Sequence, residues 1–297
     1  MKIKLKQFVA GFVFISLCGC SNSQPFKDAP IKYTPKMINE IYKQVKTYPE
    51  HPYYSISFAY KGCAIEIWLN DMPEFATLDV TGSIMILPLN VEILKTGLQR
   101  VVIKIYSPWL DKRPLTSDKV SVEARIELNN ERDDINTKRL VEFKPLKIIK
   151  QDKTWGDDFD GKTSMTYTVE FNAVLPFKTI GWSNSKDLRK MPDIEQRVKA
   201  FYANFREKFA ANDSVFFANV MYKKELEMAQ ALYMSGPEES SKRWKDLLEA
   251  VNRKKRYEFD SGNFKYIKLS DLALEFYGDG KVVGLVNKGK AAFNVRG

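Results

Sequence analysis

The sequence predicts an α+β protein in which an antiparallel, sandwich-like N-terminal domain precedes a smaller helix-rich α+β domain. Apolar and polar residues alternate with a period of two from Tyr53 to about Leu175, which is typical of strands with one buried face. From Ile194 to Phe209 the apolar residues recur every three or four positions, which is typical of a helix. The chain is 297 residues long and 44% hydrophobic, enough to form two cores.

The clearest strand lies in "KVSVEARIELN", where five apolar residues alternate with charged or small polar ones: Val120, Val122, Ala124, Ile126 and Leu128. Similar patterns occur in "YSISFAY", "CAIEIWL", "GSIMILPL", "QRVVIKIYS" and "TSMTYTVEFNAVL". Because no helical segment separates these strands, an antiparallel sandwich is favoured over a parallel sheet. We expect the first two to form a hairpin around Lys61 and Gly62.

The helical region begins near Asp193 and has a clear apolar stripe: Ile194, Val198, Phe201, Phe205 and Phe209. Two further helices are predicted over 214–234 and 238–251, separated by Gly236 and Pro237. "LALEFYGDGKVVGLV" then predicts a hairpin, since Gly-Asp-Gly supplies the residue types that a tight loop requires. The expected division is a sandwich-like domain over 35–185 and a helical plus antiparallel-sheet domain over 190–297.

The N-terminus has the pattern of an export signal. Three lysines at 2, 4 and 6 precede an apolar run from Phe8 to Leu17, which is too short for a permanent membrane span. The run ends in "LCGC", which resembles the lipobox of bacterial lipoproteins: an aliphatic residue, two small residues and an obligatory cysteine.

This resemblance implies that residues 1–19 are a lipoprotein signal peptide and that Cys20 carries acyl chains. Residues 20–34 are then a polar tether, followed by a short amphipathic helix. Two or three acyl chains anchor a soluble domain durably, at about 0.8 kcal/mol per buried methylene. Because Ser21 stands where a retention aspartate would stand in enteric bacteria, the implied location is the outer membrane, facing the periplasm. The alternative is an ordinary secretory signal with a fortuitous cysteine.

The charge balance is basic but moderate. The chain has 47 Lys and Arg against 37 Asp and Glu; losing three lysines with the signal leaves 44 basic residues and a net charge of about +7. An exported protein is not expected to bind nucleic acid, so anionic lipid, cell wall or an acidic protein are the candidate partners. The sharpest basic run, "NRKKR" at 252–256, is most simply a solvated helix face.

Catalytic motifs are scarce. A chain with one histidine is a poor candidate for a typical zinc site, and no metal or other cofactor is expected. His51 and Cys63 could form a thiol hydrolase pair, but the favoured interpretation is an exposed turn histidine and a small buried cysteine. "GWSNS" at 181–185 lacks the second glycine of a nucleophile elbow.

The acidic loop "DKTWGDDFDG" offers four carboxylates that could bind calcium: Asp152, Asp157, Asp158 and Asp160. Their spacing does not match an EF-hand, so a solvated turn is the favoured alternative.

Two segments of the body, "TGLQRVVIKIYSP" and "LPFKTIGWSNSKDL", resemble uncharacterised bacterial envelope lipoproteins with sandwich-like domains. This resemblance implies a fold and no catalytic residues. Three loop tryptophans are candidate binding residues, or alternatively plugs at the ends of the sandwich: Trp109, Trp155 and Trp182.

The function expected from these observations is non-catalytic binding of a macromolecule by a membrane-anchored periplasmic lipoprotein. A protein is the preferred partner, and one concrete version is an immunity-type protein that neutralises a periplasmic toxin. The alternatives are a glycan-binding protein of the envelope and a cell-wall hydrolase that uses paired carboxylates.

Overall fold

The computed structural model describes residues 32–77, 80–107, 113–130, 137–143, 147–149, 155–260 and 269–287. The strands are β1 Pro52–Lys61, β2 Ala64–Leu69, β3 Met72–Thr77, β4 Ser83–Pro88, β5 Gly97–Tyr106, β6 Ser121–Asn130, β7 Lys138–Phe143, β8 Lys147–Ile149, β9 Trp155–Asp157, β10 Ser164–Ala173, β11 Leu272–Tyr277 and β12 Val282–Asn287. The α-helices are α1 Pro35–Asn39, α2 Ile194–Ala210, α3 Ser214–Ala231 and α4 Pro237–Asp260.

Two four-stranded antiparallel sheets form the N-terminal part of the protein. The first sheet has the order β4-β1-β6-β7 and the second has the order β10-β5-β2-β3. Their inward side chains form one core, and β6 contributes Val122, Ala124 and Ile126 to it, as the alternation of its sequence predicts. With the helices concentrated in the C-terminal part, the predicted α+β class is confirmed.

The predicted hairpin between the first two strands is wrong. β1 pairs with β4 and β6, whereas β2 pairs with β3 and β5, so the chain crosses from one sheet to the other between them. Gly62 makes this crossing at φ +74°, and a Cβ at this position would lie 2.1 Å from the carbonyl oxygen of Lys119. A side chain is therefore excluded there by both the backbone angle and the close approach.

The N-terminal helix packs on the helical part of the protein, although the sandwich strands follow it in the chain. Ile38 and Ile41 share an apolar cluster with Phe217 of α3 and Trp244 of α4. The predicted domain boundaries remain a prediction, but the start of the 35–185 segment shares its core with the later helices.

The chain enters this cluster at Tyr33. The Tyr33 ring stacks on Tyr222 with centroids 4.1 Å apart, and the Asn219 Oδ1 accepts hydrogen bonds from the backbone N–H groups of Lys32 and Tyr33. The last residues of the proposed tether, Lys32 and Tyr33, are therefore fixed to α3.

The fully buried Asn90 joins the sandwich to the helices. Its Nδ2 donates to the carbonyl oxygens of Pro52 at 2.9 Å and Ala231 at 3.0 Å, while its Oδ1 accepts from the Tyr54 N–H at 2.7 Å. Because a buried amide is costly unless it is bonded, this side chain fixes the end of α3 against β1.

The C-terminal hairpin of β11 and β12 is confirmed, with its loop residues Gly278, Asp279 and Gly280 all at positive φ. It packs against the outer face of the second sheet, where the rings of Trp68 and Tyr277 lie 5.7 Å apart. The third helix of the region, α4, extends to Asp260, beyond the predicted end at 251, because the next residue that breaks helices is the glycine at 262. No helix in the described ranges is long and apolar enough to cross a bilayer.

Candidate interaction surface

The chain that leaves β10 continues as an extended segment, 174–180, across one end of the sandwich. Thr96 Oγ1 accepts a hydrogen bond from the Leu175 N–H at 2.9 Å, and the Leu94 carbonyl oxygen accepts one from the Thr179 N–H at 3.0 Å. These bonds align the segment with the residues that lead into β5.

Side chains along this segment alternate between the core and the surface. The inward set is Phe171, Ala173, Leu175, Phe177 and Thr179, all buried. The outward neighbours include Val174, which is 65% exposed, and Ile180, which is 59% exposed, and Leu98 on the adjacent β5 is 61% exposed. Leu98 pairs with Asn172, so Leu98 and Val174 are diagonal neighbours on the same face.

Three exposed cations border these apolar groups: Lys95, Arg100 and Lys178. Among the described residues none of them forms an ion pair, although Glu170 stands opposite Arg100 in the strand ladder. We call Leu98, Val174, Ile180, Lys95, Arg100 and Lys178 the basic–apolar ribbon. The sequence analysis missed it, and the signal was available, because the alternation in "FNAVLPFKTI" continues past the end of β10.

A second exposed apolar group lies on β4, an edge strand of the first sheet. Ile84 is 80% exposed and Ile86 is 57% exposed. They lie opposite Ala59 and Ser57 of β1, which are small and uncharged, so this surface offers apolar contact without a charge preference.

Trp182 is half-buried at the junction between the sandwich, α3 and the C-terminal hairpin. Its Nε1 donates to the Glu92 Oε2 at 3.4 Å, and its ring packs with Met72 and Tyr277 and lies directly against Gly278. These contacts give Trp182 a packing role. Its predicted role in binding stays a prediction.

Cys20 and Trp109 lie outside the described residues, and Trp155 begins the short strand β9, of which only the backbone is described. The basic run 252–256 lies within α4, as expected for a helix face.

The structure separates His51 from Cys63. They lie beyond opposite ends of β1, which has ten residues and is about 33 Å long. His51 stacks on Tyr233, and burial raises the pKa of the Cys63 thiol to about 12. A buried thiol of this kind is a poor nucleophile, which agrees with its interpretation as a small core residue.

The described carboxylates of the acidic loop bind protein groups. Asp158 accepts a hydrogen bond from the Tyr167 hydroxyl, and Asp160 accepts from the backbone N–H and the hydroxyl of Ser117. Asp152 lies outside the described residues. Within the part of the chain that the structure describes, no three His, Cys, Asp or Glu side chains group closely enough to hold a metal ion.

Two glutamates of the junction have raised pKa values and were not identified from the sequence: Glu92, which accepts from Trp182, and Glu74, on which the charge of Glu92 acts. The Oε1 of Glu74, on β3, is buried and accepts no hydrogen bond from the described residues. Burial raises the pKa of Glu74 well above its usual range, and the charge of Glu92 raises it further. Burial also raises the pKa of Glu92, against the lowering effects of Trp182 and Lys224.

Comparisons of the chain with protein-family models, with curated proteins and with solved structures found no match.

Proposed function

We propose that this protein is a bacterial lipoprotein, anchored in the outer membrane through Cys20, that binds a protein partner in the periplasm without catalysing a reaction. The observation that carries the proposal is the basic–apolar ribbon. It combines three exposed apolar side chains with cations that make no ion pair with the described residues.

The composition of the ribbon favours a particular class of partner. Exposed apolar side chains bordered by polar ones are typical of protein-binding surfaces. The excess of positive charge favours acidic residues on the partner, which would speed association and exclude basic competitors. An immunity-type interaction with an acidic periplasmic toxin is one form that this function could take.

The proposed anchor is compatible with binding close to the membrane. Eleven residues lie between Cys20 and Lys32, and the twelve steps along the chain from Cys20 to Lys32 span at most about 40 Å. Since Tyr33 is fixed to α3, the point at which the tether joins the folded part would stay within that distance of the bilayer surface.

The anchor is tested by the intact mass of the protein purified from bacterial envelopes. We expect cleavage before Cys20 and the added mass of acyl chains, and a soluble, unacylated product for Cys20→Ala. An unacylated wild-type protein in the soluble fraction would contradict the lipoprotein assignment.

The binding surface is tested by variants within and outside the ribbon. Proteins that copurify with the wild type after cross-linking are identified first, and the affinity of the main one is then measured. We expect Leu98→Glu with Ile180→Glu to weaken binding at least about 100-fold, as for the central residues of an interface. Ile84→Ser with Ile86→Ser, at similarly exposed positions on β4, is the matched control and should bind like wild type.

The contribution of the ribbon's positive charges to association is tested by a separate pair of variants. Lys95→Glu with Lys178→Glu should slow association and reduce its salt dependence, whereas Lys162→Glu, near the opposite end of β10, should not. Retention of full affinity by both ribbon variants would show that the ribbon is not the binding surface. Loss of affinity in the β4 control would move the site to that edge, and saturable binding of wall glycans with no protein partner would favour the glycan-binding alternative.

A further inference from the structure

The connection 179–185 links the sandwich to the C-terminal part and is held from three sides. Gly181 donates its N–H to Glu227 Oε1 of α3 at 3.0 Å, and Lys281 Nζ of the hairpin donates to the Ser183 carbonyl oxygen at 2.8 Å. Trp182, in the same connection, donates to Glu92 on the sandwich side. Ile180 of the ribbon belongs to this connection, so the position of the ribbon depends on these contacts.

Glu74 and Glu92 differ in what supports a negative charge. Glu92 accepts the indole N–H of Trp182, and Lys224 of α3 lies close enough to lower its pKa. Glu74 Oε1 has no donor among the described residues. Because a buried carboxylate is stabilised by donors and cations, the charge of the pair belongs on Glu92 and the proton on Glu74.

The charged groups around Glu92 do not compensate for the second negative charge that ionisation of Glu74 would add. Glu227 faces Glu92 and raises its pKa. Among the described residues, Lys224 is the cation whose charge acts on Glu92, and its own pKa is lowered, first by burial and also by Arg243. Arg243 is already paired with Glu225, so its charge is matched.

We propose that Glu74 holds a proton that keeps the 179–185 connection closed, and that loss of this proton to solvent loosens the connection and the Ile180 end of the ribbon. The O–H bond of the Glu74 carboxyl breaks, the proton passes to water, and two carboxylates then face each other in the junction. Their repulsion separates β3 from the turn 90–92 that carries Glu92, and so disturbs the hydrogen bond that Glu92 accepts from Trp182 of the connection. The statement about the ribbon rests on the proposed function, whereas the statement about the connection does not.

The direction of the pH effect follows from the raised pKa of Glu74 in the folded protein. An unfolded glutamate titrates near about pH 4.3. The stabilisation from the bound proton is complete below that pH. It is lost as the pH rises through the pKa of Glu74 in the folded protein, which is higher. The connection should therefore be closed under acidic conditions and progressively looser toward alkaline pH.

Amide hydrogen exchange of the full-length protein tests this inference, with no partner present. Peptides covering 179–185 are followed at about pH 5 and about pH 8, after correction for the intrinsic exchange rates. We expect protection in the wild type to fall at least about 10-fold at the higher pH. Glu74→Gln mimics the protonated side chain, so in this variant the amides of 179–185 should stay protected at both pH values. Glu170→Gln, at an exposed position on β10, should behave like wild type.

Equal protection of the wild type at both pH values would overturn the inference, as would an unchanged pH dependence in Glu74→Gln. If Glu74→Gln fails to fold, Glu92→Gln provides the same test, because it removes the charge that opposes ionisation of Glu74. Since exchange is measured without a partner, failure of this test leaves the binding measurements on the ribbon unaffected, and failure to find a partner leaves this test unaffected.

Discussion

The part of the chain that the structure describes includes two glutamate–tryptophan pairs with different surroundings. On the outer face of the second sheet, Glu66 is 4% exposed and accepts the Trp68 indole N–H at 2.8 Å, while Lys104 Nζ lies 3.5 Å from the same carboxylate. At the junction, Glu92 accepts the Trp182 indole N–H at 3.4 Å, and a second carboxylate lies beside it. The first pair has a cation within ion-pair distance, and the second has competing anions.

The difference shows how neighbours decide the role of a buried acid. Lys104 stands directly opposite Glu66 in the strand ladder and lies 4.3 Å from the centre of the Trp68 ring, so one cation serves both members of the first pair. The second pair joins Glu92 of the sandwich to Trp182 of the connection, and Lys224 and Glu227 of α3 act on the charge of Glu92. The first pair is therefore expected to be a fixed structural contact, and the second a contact that responds to protons.

The largest effect is expected from Glu66→Ala. This change leaves the Trp68 indole without its acceptor and removes the partner of Lys104, so we expect a loss of about 3 kcal/mol in the free energy of unfolding, typical of breaking a buried ion pair. Urea denaturation measures the loss. Glu170→Ala, on the exposed outer face of the same sheet, should change stability by less than about 0.5 kcal/mol. Comparable losses in the two variants would contradict a structural role for the Glu66 pair.

A smaller effect, with a new pH dependence, is expected from Lys104→Met. The methionine keeps apolar contact with Trp68 but leaves Glu66 as a buried carboxylate without a cation, which is the situation of Glu74. We expect a loss of about 1–2 kcal/mol at neutral pH that decreases under acidic conditions, where a protonated carboxyl is tolerated. Urea denaturation at several pH values measures it. A loss that does not vary with pH would show that Lys104 acts through packing alone.

The first pair was partly readable from the sequence, and the second was not. In "CAIEIWL" the alternation places Glu66 and Trp68 on the same face of a strand, although it does not show that the C-terminal hairpin covers that face. Glu74, Glu92 and Trp182 lie in three separate segments, and their meeting depends on how the strands are distributed between the two sheets. The misassigned hairpin around Gly62 shows the same limit, because local alternation identifies strands but does not determine their pairing.

The smallest effect, and the sharpest comparison of the two pairs, is expected from replacing each tryptophan by phenylalanine. Trp182→Phe keeps the ring against Met72 and Gly278 but removes the N–H that favours the charged form of Glu92, so the pKa of Glu92 should rise further. The loss of stability should therefore be about 1 kcal/mol at about pH 8 and smallest at about pH 4.5, where the raised pKa of Glu92 favours the protonated carboxyl in the folded wild type and in the folded variant.

Trp68→Phe removes the corresponding N–H from Glu66, whose charge Lys104 still stabilises, so its loss of stability should be similar at both pH values. Urea denaturation of the two variants and the wild type at the same two pH values shows whether each pair is a fixed structural contact or a contact that responds to protons. If both variants lose stability equally at both pH values, the junction pair is a structural contact like the first, and the proton on Glu74 has no consequence for the fold. If only Trp182→Phe depends on pH, the two pairs differ because Lys104 contacts one carboxylate and a second carboxylate faces the other.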